Sequence, residues 1–338
     1  MKTSLFSFEL PEELIAQKPT QDREEARMLV LDRRSGGITD SSVRDLPEKL
    51  EPGTLVVLND SRVRKARIFG KDAAGRSVEA LLLASRGANR WEVLVGSLRK
   101  ARKLTFPGDV IGTVEDGEST GRDSRIIGFS HPIDDAYLEE HGHVPLPPYI
   151  RRPDTGEDAE SYQTVYARIM GSAAAPTAGL HLTQRLISAL EDKGIGVAFV
   201  TLHVGLGTFL PIRSENIEGH SLHEETYSIP ARTVELLENA FSRSARILAV
   251  GTTVVRALES AWKQGSVKEG EGRTGMYILP GYRFKVVSGL FTNFHTPRSS
   301  LLVLVSAFAG LESIRRAYDE AVKRRYRFFS YGDAMLIL

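Results

Sequence analysis

The chain contains no cysteine. Disulfides, thiolate metal sites and cysteine nucleophiles are therefore excluded. Net charge is nearly absent: 44 Lys and Arg stand against 43 Asp and Glu, leaving +1. The chain as a whole is no polycation, and any contact with a polyanion must come from local patches. Long apolar runs are missing as well. The longest candidate, Leu301 to Ala309, falls far short of the roughly 20 residues of a membrane span. The N-terminus, MKTSLFSFELPEEL, turns acidic at once and lacks the apolar stretch of a secretory signal. A cytoplasmic protein without membrane contact is the expectation.

What is present suits a large soluble fold. With 338 residues, 41% hydrophobic and 26% charged, the chain can bury a substantial core and divide into two domains. Helices are expected at Pro11 to Ala16 and near Val43 to Leu50, with strands at Met28 to Asp32 and Thr54 to Leu58. From Ala66 to Phe129 the texture changes to short β-like runs separated by turns, the pattern of a small antiparallel barrel. HGHVPLPPYIRRP, beginning at His141, is proline-dense and must run extended. Beyond Tyr162, helices (Leu182 to Lys193, Val254 to Gln264, Ser299 to Ala309, Leu311 to Arg325) alternate with apolar strands. The strands are Val197 to Val204, Arg246 to Val250, Phe284 to Phe294 and Ala334 to Leu338, the signature of an α/β sheet. The expected fold is an α/β main domain, a mixed sheet with flanking helices, formed by 1–61 plus 150–338. A small antiparallel β-barrel is inserted at 62–149.

Three segments gather glycine, threonine, histidine and asparagine at the mouths of apolar elements: APTAGLHLT to HVGLGTF (Ala175 to Phe209), AVGTTVVRALES (Ala249 to Ser260) and GLFTNFHTPRSS (Gly289 to Ser300). Such knots suit a site where backbone must approach a ligand closely. In the second, a strand runs through Gly251 into Thr252, Thr253 and a helix, a natural place for a carboxylate, with Arg256 and Glu259 following. A plain helix cap is the competing explanation. GLGTF lacks the third glycine of a dinucleotide fingerprint, since Leu210 and Pro211 stand there, so a nucleotide loop of that kind is rejected.

The histidines at His141-Gly-His143 and His220 to His223 lack the spacing of a helical zinc pair. His181, His203, His223 and His295 lie at element ends, where acid/base, ligand and structural roles all remain open. Basic patches occur at Arg62, Arg64, Lys65 and Arg67, at Arg99, Lys100, Arg102 and Lys103, and along Arg315 to Arg327. Each could contact a polyanion or form a solvated face. Aromatic residues in RYRFFSYGDAML, Tyr331 among them, could stack on a base or fill the core. Asp333 precedes the last strand as a catalytic or capping carboxylate.

Taken together, FELPEELIAQ, VVLNDSRV, HVPLPPYIRRPD, YQTVYA, AAPTAGLHLT, FVTLHVGLGTF, GHSLHEETYSIP, GTTVVRALES, PGYRF, TNFHTPRSSLL and YRFFSYGDAMLI resemble one family over essentially the whole chain. That family is the S-adenosylmethionine:tRNA ribosyltransferase-isomerases of queuosine biosynthesis. Departures are small: Leu182 where the family usually has Phe, Thr296-Pro297-Arg298 for Leu-Pro-Lys, and Leu279 for Tyr.

The resemblance implies transfer of the ribosyl part of S-adenosylmethionine to 7-aminomethyl-7-deazaguanine at the wobble position of a tRNA with a GUN anticodon. Epoxyqueuosine would form, with release of adenine and methionine. S-adenosylmethionine would be co-substrate, no metal would be needed, and the protein would act as a monomer. The reaction needs a base, an acid and strict positioning. His203 or His181 is expected as base, with the other, or His223, as acid. Glu224 or Asp333 would orient a histidine or balance the sulfonium. Gly205, Gly207, Thr208, Thr252, Thr253, Arg256, Asn293 and His295 would hold the donor, with Thr252, Thr253 and Arg256 on its carboxylate. Asn59, Asp60, Arg62, Arg99, Lys100 and Tyr331 would face the RNA and its target base. An S-adenosylmethionine-dependent RNA methyltransferase and a non-catalytic RNA-binding module are the competing functions.

Overall fold

The computed structural model describes residues 1–87, 89–95, 102–115, 124–205 and 211–338. Along the chain come β1 (Arg27–Leu31), β2 (Ile38–Ser42), β3 (Leu55–Asn59) and β4 (Ser61–Val63). The helix expected near Val43 to Leu50 is a 3-10 helix, Val43–Lys49, with Pro47 inside it. Without that amide an α-helical ladder cannot run through. The one expected at Pro11 to Ala16 shrinks to the 3-10 turn Glu12–Leu14.

Six strands follow: β5 (Arg67–Asp72), β6 (Ser77–Ser85), β7 (Arg90–Val95), β8 (Lys103–Phe106), β9 (Val110–Val114) and β10 (Ser124–Phe129). They close into an antiparallel barrel in the order β10-β7-β6-β5-β8-β9. Period-two burial explains the closure. Ile68, Gly70 and Asp72 of β5 and Val78, Ala80 and Leu82 of β6 turn inward while their neighbours face out. Val93, Phe106, Ile127 and Phe129 fill the same interior.

After α1 (Asp135–His141), the proline-rich chain returns to α2 (Asp158–Ser161) and β11 (Ile169–Ser172), which pairs with β4 in parallel. The remaining elements are α3 (Gln184–Asp192), β12 (Gly196–Leu202), β13 (Glu225–Ile229), α4 (Ala231–Ser242), β14 (Ile247–Val250) and α5 (Thr252–Ala261). A small hairpin of β15 (Trp262–Lys263) and β16 (Ser266–Val267) precedes β17 (Gly270–Thr274) and β18 (Gly289–Asn293). The chain ends with α6 (Ser300–Ala309), α7 (Leu311–Lys323) and β19 (Ala334–Ile337).

Nine strands form one mixed sheet, β17-β13-β12-β3-β14-β18-β19-β1-β2. Its centre is buried on both faces. Leu55 and Val57 meet the helices α4 to α7 on one side, and Val56 and Leu58 meet α3 and the 43–49 helix on the other. Each such side chain stabilises the fold by about 1.5–3 kcal/mol, so a one-residue slip of β3 would exchange two filled layers at once.

Topology gives this sheet a functional edge. β12, β3, β14 and β18 run parallel and adjacent, so their C-terminal ends lie side by side. β19 runs antiparallel to β18 and starts at that same edge, with Ala334 opposite Asn293. The three polar segments picked out above therefore converge there, although they are far apart in sequence.

Candidate active site

β14 ends at Val250 and passes through Gly251 directly into α5. Gly251 has φ 91° and ψ 153°, a backbone conformation that costs an L-residue strain and glycine nothing. No side chain caps α5. The leading amide groups of a helix have no partner within it and carry its positive end. Here they open onto a small cleft of about 30 Å³ lined by Thr252, Thr253, Thr292, Asn293 and His295, with Pro176, Ala178, Val204 and Leu301 as its apolar walls. The structure thus brings Thr252, Thr253, Asn293 and His295 together, as the sequence suggested.

Asn293 is 2% exposed. Its Nδ2 donates to the Phe329 carbonyl and to His181 Nε2, each at 3.1 Å. Because Nε2 of His181 accepts, the ring proton must sit on Nδ1. Burial first, then the nearby Arg23 and Arg327, push this imidazole down to about 4, so it is neutral at pH 7. His295 exchanges a hydrogen bond between Nε2 and Thr292 Oγ1 at 3.0 Å. Its amide donates to the Tyr318 hydroxyl, and burial pushes its ring down to about 3.

His203 directly follows β12 at its C-terminal end. Its ring lies against Gly171, where a Cβ would approach the imidazole to 2.9 Å. Its Nδ1 is buried without a hydrogen-bond partner among the described residues. Burial, then Arg64, lowers its pKa, while Asp60 opposes that shift. Asp60 accepts from Thr201 Oγ1 at 2.6 Å and from Arg168 Nη2 at 2.8 Å. Arg62 is exposed on β4 beside this cluster. Gly205 is fixed by its amide, which donates to Glu225 Oε1 at 2.7 Å.

Six expected assignments need correcting. Arg256 is committed elsewhere: its guanidinium pairs with Glu225 and donates to the Met276 and Thr274 carbonyls, so it has no free fork for a ligand carboxylate. Asp333 spends one oxygen on the Arg27 amide and the other on the Arg327 amide, at 3.0 and 2.7 Å. It joins the start of β1 to the loop before β19 and orients no histidine; burial raises its pKa. Asn59 donates to the Leu202 carbonyl and to Thr253 Oγ1, and accepts from the Ser61 and Leu202 amides. It bolts β3 to β12 and α5 rather than facing a base. Tyr331 is 3% exposed, with its hydroxyl donating to Asp158, so it offers no face for stacking. His223 and Glu224 are exposed on the approach to β13, where Glu224 lies 3.6 Å from Arg273, and neither lines the cleft. Gly207, Thr208, Arg99 and Lys100 lie outside the described residues.

The basic patches also read differently in three dimensions. Arg64, Lys65 and Arg67 pair with Asp135, Glu139 and Glu79. Arg315, Lys323, Arg324 and Arg325 likewise have carboxylate partners. The sequence pattern points to Glu224, but the carboxylate built into the site is its buried neighbour Glu225. The alternating burial of β13, which turns Glu225 inward and Thr226 outward, was the available signal. Phe329, one of the aromatics expected to stack or fill the core, is a buried non-glycine residue at φ 72° whose carbonyl holds Asn293 in place. Nothing in the local pattern announces that conformation.

A family model described as queuosine biosynthesis protein matches residues 3–337. Relatives called S-adenosylmethionine:tRNA ribosyltransferase-isomerase, from Treponema denticola and Halothermothrix orenii, are each 48% identical, with 100% of both chains covered. A crystal structure of S-adenosylmethionine tRNA ribosyltransferase from Thermotoga maritima is similar with a TM-score of 0.59 and 39% identity. It covers 99% of this chain and 100% of its own. With a cleft built from the strand ends of a sheet whose whole sequence follows that pattern, this chain belongs to the queuosine biosynthesis protein family.

Proposed function

We propose that the protein transfers and isomerises the ribosyl moiety of S-adenosylmethionine onto 7-aminomethyl-7-deazaguanine at the wobble position of a GUN-anticodon tRNA. The products are epoxyqueuosine-tRNA, adenine and methionine. The supporting observation is the full-length kinship at 48% identity, combined with the cleft that the kindred motifs line at the sheet edge.

The residues divide the work by their chemistry. The sulfonium of the donor acidifies the adjacent C5′ hydrogens, so a base must wait there. His203 fits that role: Nδ1 has no hydrogen-bond partner among the described residues, and burial lowers its pKa, which favours the neutral, proton-accepting ring. The Nε2 of His181 already accepts from Asn293 and takes no substrate proton; the ring is a neutral Nδ1–H donor. The amides opening α5, with Thr252 and Thr253, take the donor carboxylate. Gly205, whose amide is held by Glu225, approaches the donor with its backbone, and Gly207 and Thr208 are assigned to the donor as well. Asp60, with Arg168, and the exposed Arg62 face the RNA where β4 and β11 join barrel and sheet. The chemistry calls on a base, an acid and positioning, and on no metal.

We further propose that the chain acts as a cytoplasmic monomer. Residues 1–61 plus 150–338 form the donor-binding domain, and 62–149 carries the barrel that helps hold the RNA.

The test uses carboxyl-labelled S-adenosylmethionine and tRNA bearing the modified base. The wild-type protein releases labelled methionine and free adenine in equal amounts. His203→Ala lowers that rate at least about 100-fold, the scale of a lost general base, with tRNA binding retained. Formation of S-adenosylhomocysteine in place of methionine would overturn the reading in favour of methyl transfer.

A further inference from the structure

We propose that the side-chain carbonyl of Asn293 recognises the α-amino group of the donor's aminoacyl end, and so makes this cleft selective for an intact amino acid. The inference rests on the assignment of S-adenosylmethionine as donor and concerns which atom reads which part of it.

Asn293 is the last residue of β18 and is almost completely buried. Its orientation is not free. The Phe329 carbonyl can only accept, so the nitrogen must face it, and the second amide proton goes to His181 Nε2. Oδ1 is thereby fixed on the other side, where it meets no donor among the described residues. A buried acceptor left without a donor is uncommon in a folded protein and asks for a partner from outside the chain. Phe329 holds its carbonyl in place at φ 72°, so the backbone is strained where this amide is anchored.

The same cleft carries the opposite kind of group. α5, a helix of 10 residues, starts there from Gly251 without a side-chain cap, so donors and positive potential lie across from one orphaned acceptor. A ligand that answers both carries an anion and a hydrogen-bond donor close together. The carboxylate and ammonium of an α-amino acid meet that description, with the first on the helix start and the second on Oδ1. The surrounding charges permit it. His181 and His295 are neutral at physiological pH because burial depresses both, and Arg256 is neutralised by Glu225. Pro176, Val204 and Leu301 supply an apolar wall for the chain that leads to the sulfur.

The experiment compares, by isothermal titration, S-adenosylmethionine, its analogue lacking the α-amino group, and its analogue dimethylated at the adenine amine. For the wild-type protein the deaminated ligand should bind about 10- to 100-fold more weakly, the range of a lost hydrogen bond to a charged group. Asn293→Leu keeps the approximate shape and removes the acceptor, so the two ligands should then bind alike. Equal binding of parent and deaminated ligand to the wild-type protein overturns the proposal without needing any variant. So does a loss confined to the dimethylated analogue, which would assign Oδ1 to the purine. Failure of the wild-type protein to bind S-adenosylmethionine, with tRNA present or absent, would instead overturn the donor assignment and this inference with it.

Discussion

Glu225 and Arg256 are 31 positions apart, yet their side chains are 4% and 3% exposed and in direct contact. Few charges are taken so far from water, and here each has every reason to stay paired. The carboxylate also receives the Gly205 amide, and the guanidinium also donates to two carbonyls. Removing one partner strands the other in low dielectric, which typically costs about 3–5 kcal/mol. Arg256→Met should therefore lower the urea midpoint sharply, whereas the double variant with Glu225→Leu should recover much of the loss. A single variant as stable as the wild-type protein would mean the pair is not desolvated in solution. Sequence alone marked Arg256 as special but gave it the wrong partner. A guanidinium fork suits a ligand carboxylate and a protein carboxylate equally well, and only the pairing of β13 with its neighbours decides between them. Asn59 misled for the same reason: a polar residue at a strand end can bind a ligand or stitch strands together, and its hydrogen bonds all go to its own chain.

The elements divide by how strongly burial patterns them. The central strands and α5 to α7 were legible because their apolar runs fill both faces of the sheet. α4 was not, because its buried positions are Thr233, Leu237 and Ala240, two of them small, which leave a faint stripe. α1 buries only Leu138, too little for any periodicity. The sheet edge was legible as three separate knots, but their convergence required the strand order. That convergence has a thermodynamic consequence, since β18 is flanked by imidazoles held at about 4 for His181 and about 3 for His295. Unfolded histidine titrates near 6.5. Below that pH the unfolded chain binds protons that these folded rings refuse, so stability falls as pH falls and is fully present above it. The loss should begin near pH 6.5 and continue to about pH 4 for His181 and about pH 3 for His295. Within the window each histidine contributes a slope of about 1.4 kcal/mol per pH unit. Urea unfolding from pH 8 to 4.5 should show a plateau and then this decline. His295→Gln, which cannot titrate, should have the shallower slope; an unchanged slope would place His295 in contact with water.

At the scale of the whole molecule, the near-neutral charge count has a sharper meaning than composition suggested. Arg64, Lys65, Arg67, Arg315, Lys323, Arg324 and Arg325 each have a carboxylate within reach, and such solvated ion pairs offer little net field to an RNA. Arg62 differs. It is exposed on β4, with no ion-pair partner among the described residues. It sits opposite Met170 in the two-stranded β4–β11 ribbon, where the chain passes from sheet to barrel. Nearby Arg168 is 60% exposed and is only half engaged by the buried Asp60. An RNA that delivers its anticodon base to the sheet edge while touching the barrel must cross this ribbon, so Arg62 is placed to meet a phosphate. Phosphate contacts release counterions, and each contributes about 0.7–0.9 to the slope of log affinity against log salt. Arg62→Ala should reduce that slope for substrate tRNA by about one, and should leave the affinity for S-adenosylmethionine unchanged. Arg315→Ala, on the face of α7 and already beside Glu312, should leave both unchanged. Filter binding between 50 and 250 mM KCl measures the slopes directly. If Arg315→Ala shifts the slope and Arg62→Ala does not, the RNA lies across the helical face and the ribbon between the lobes is not its path.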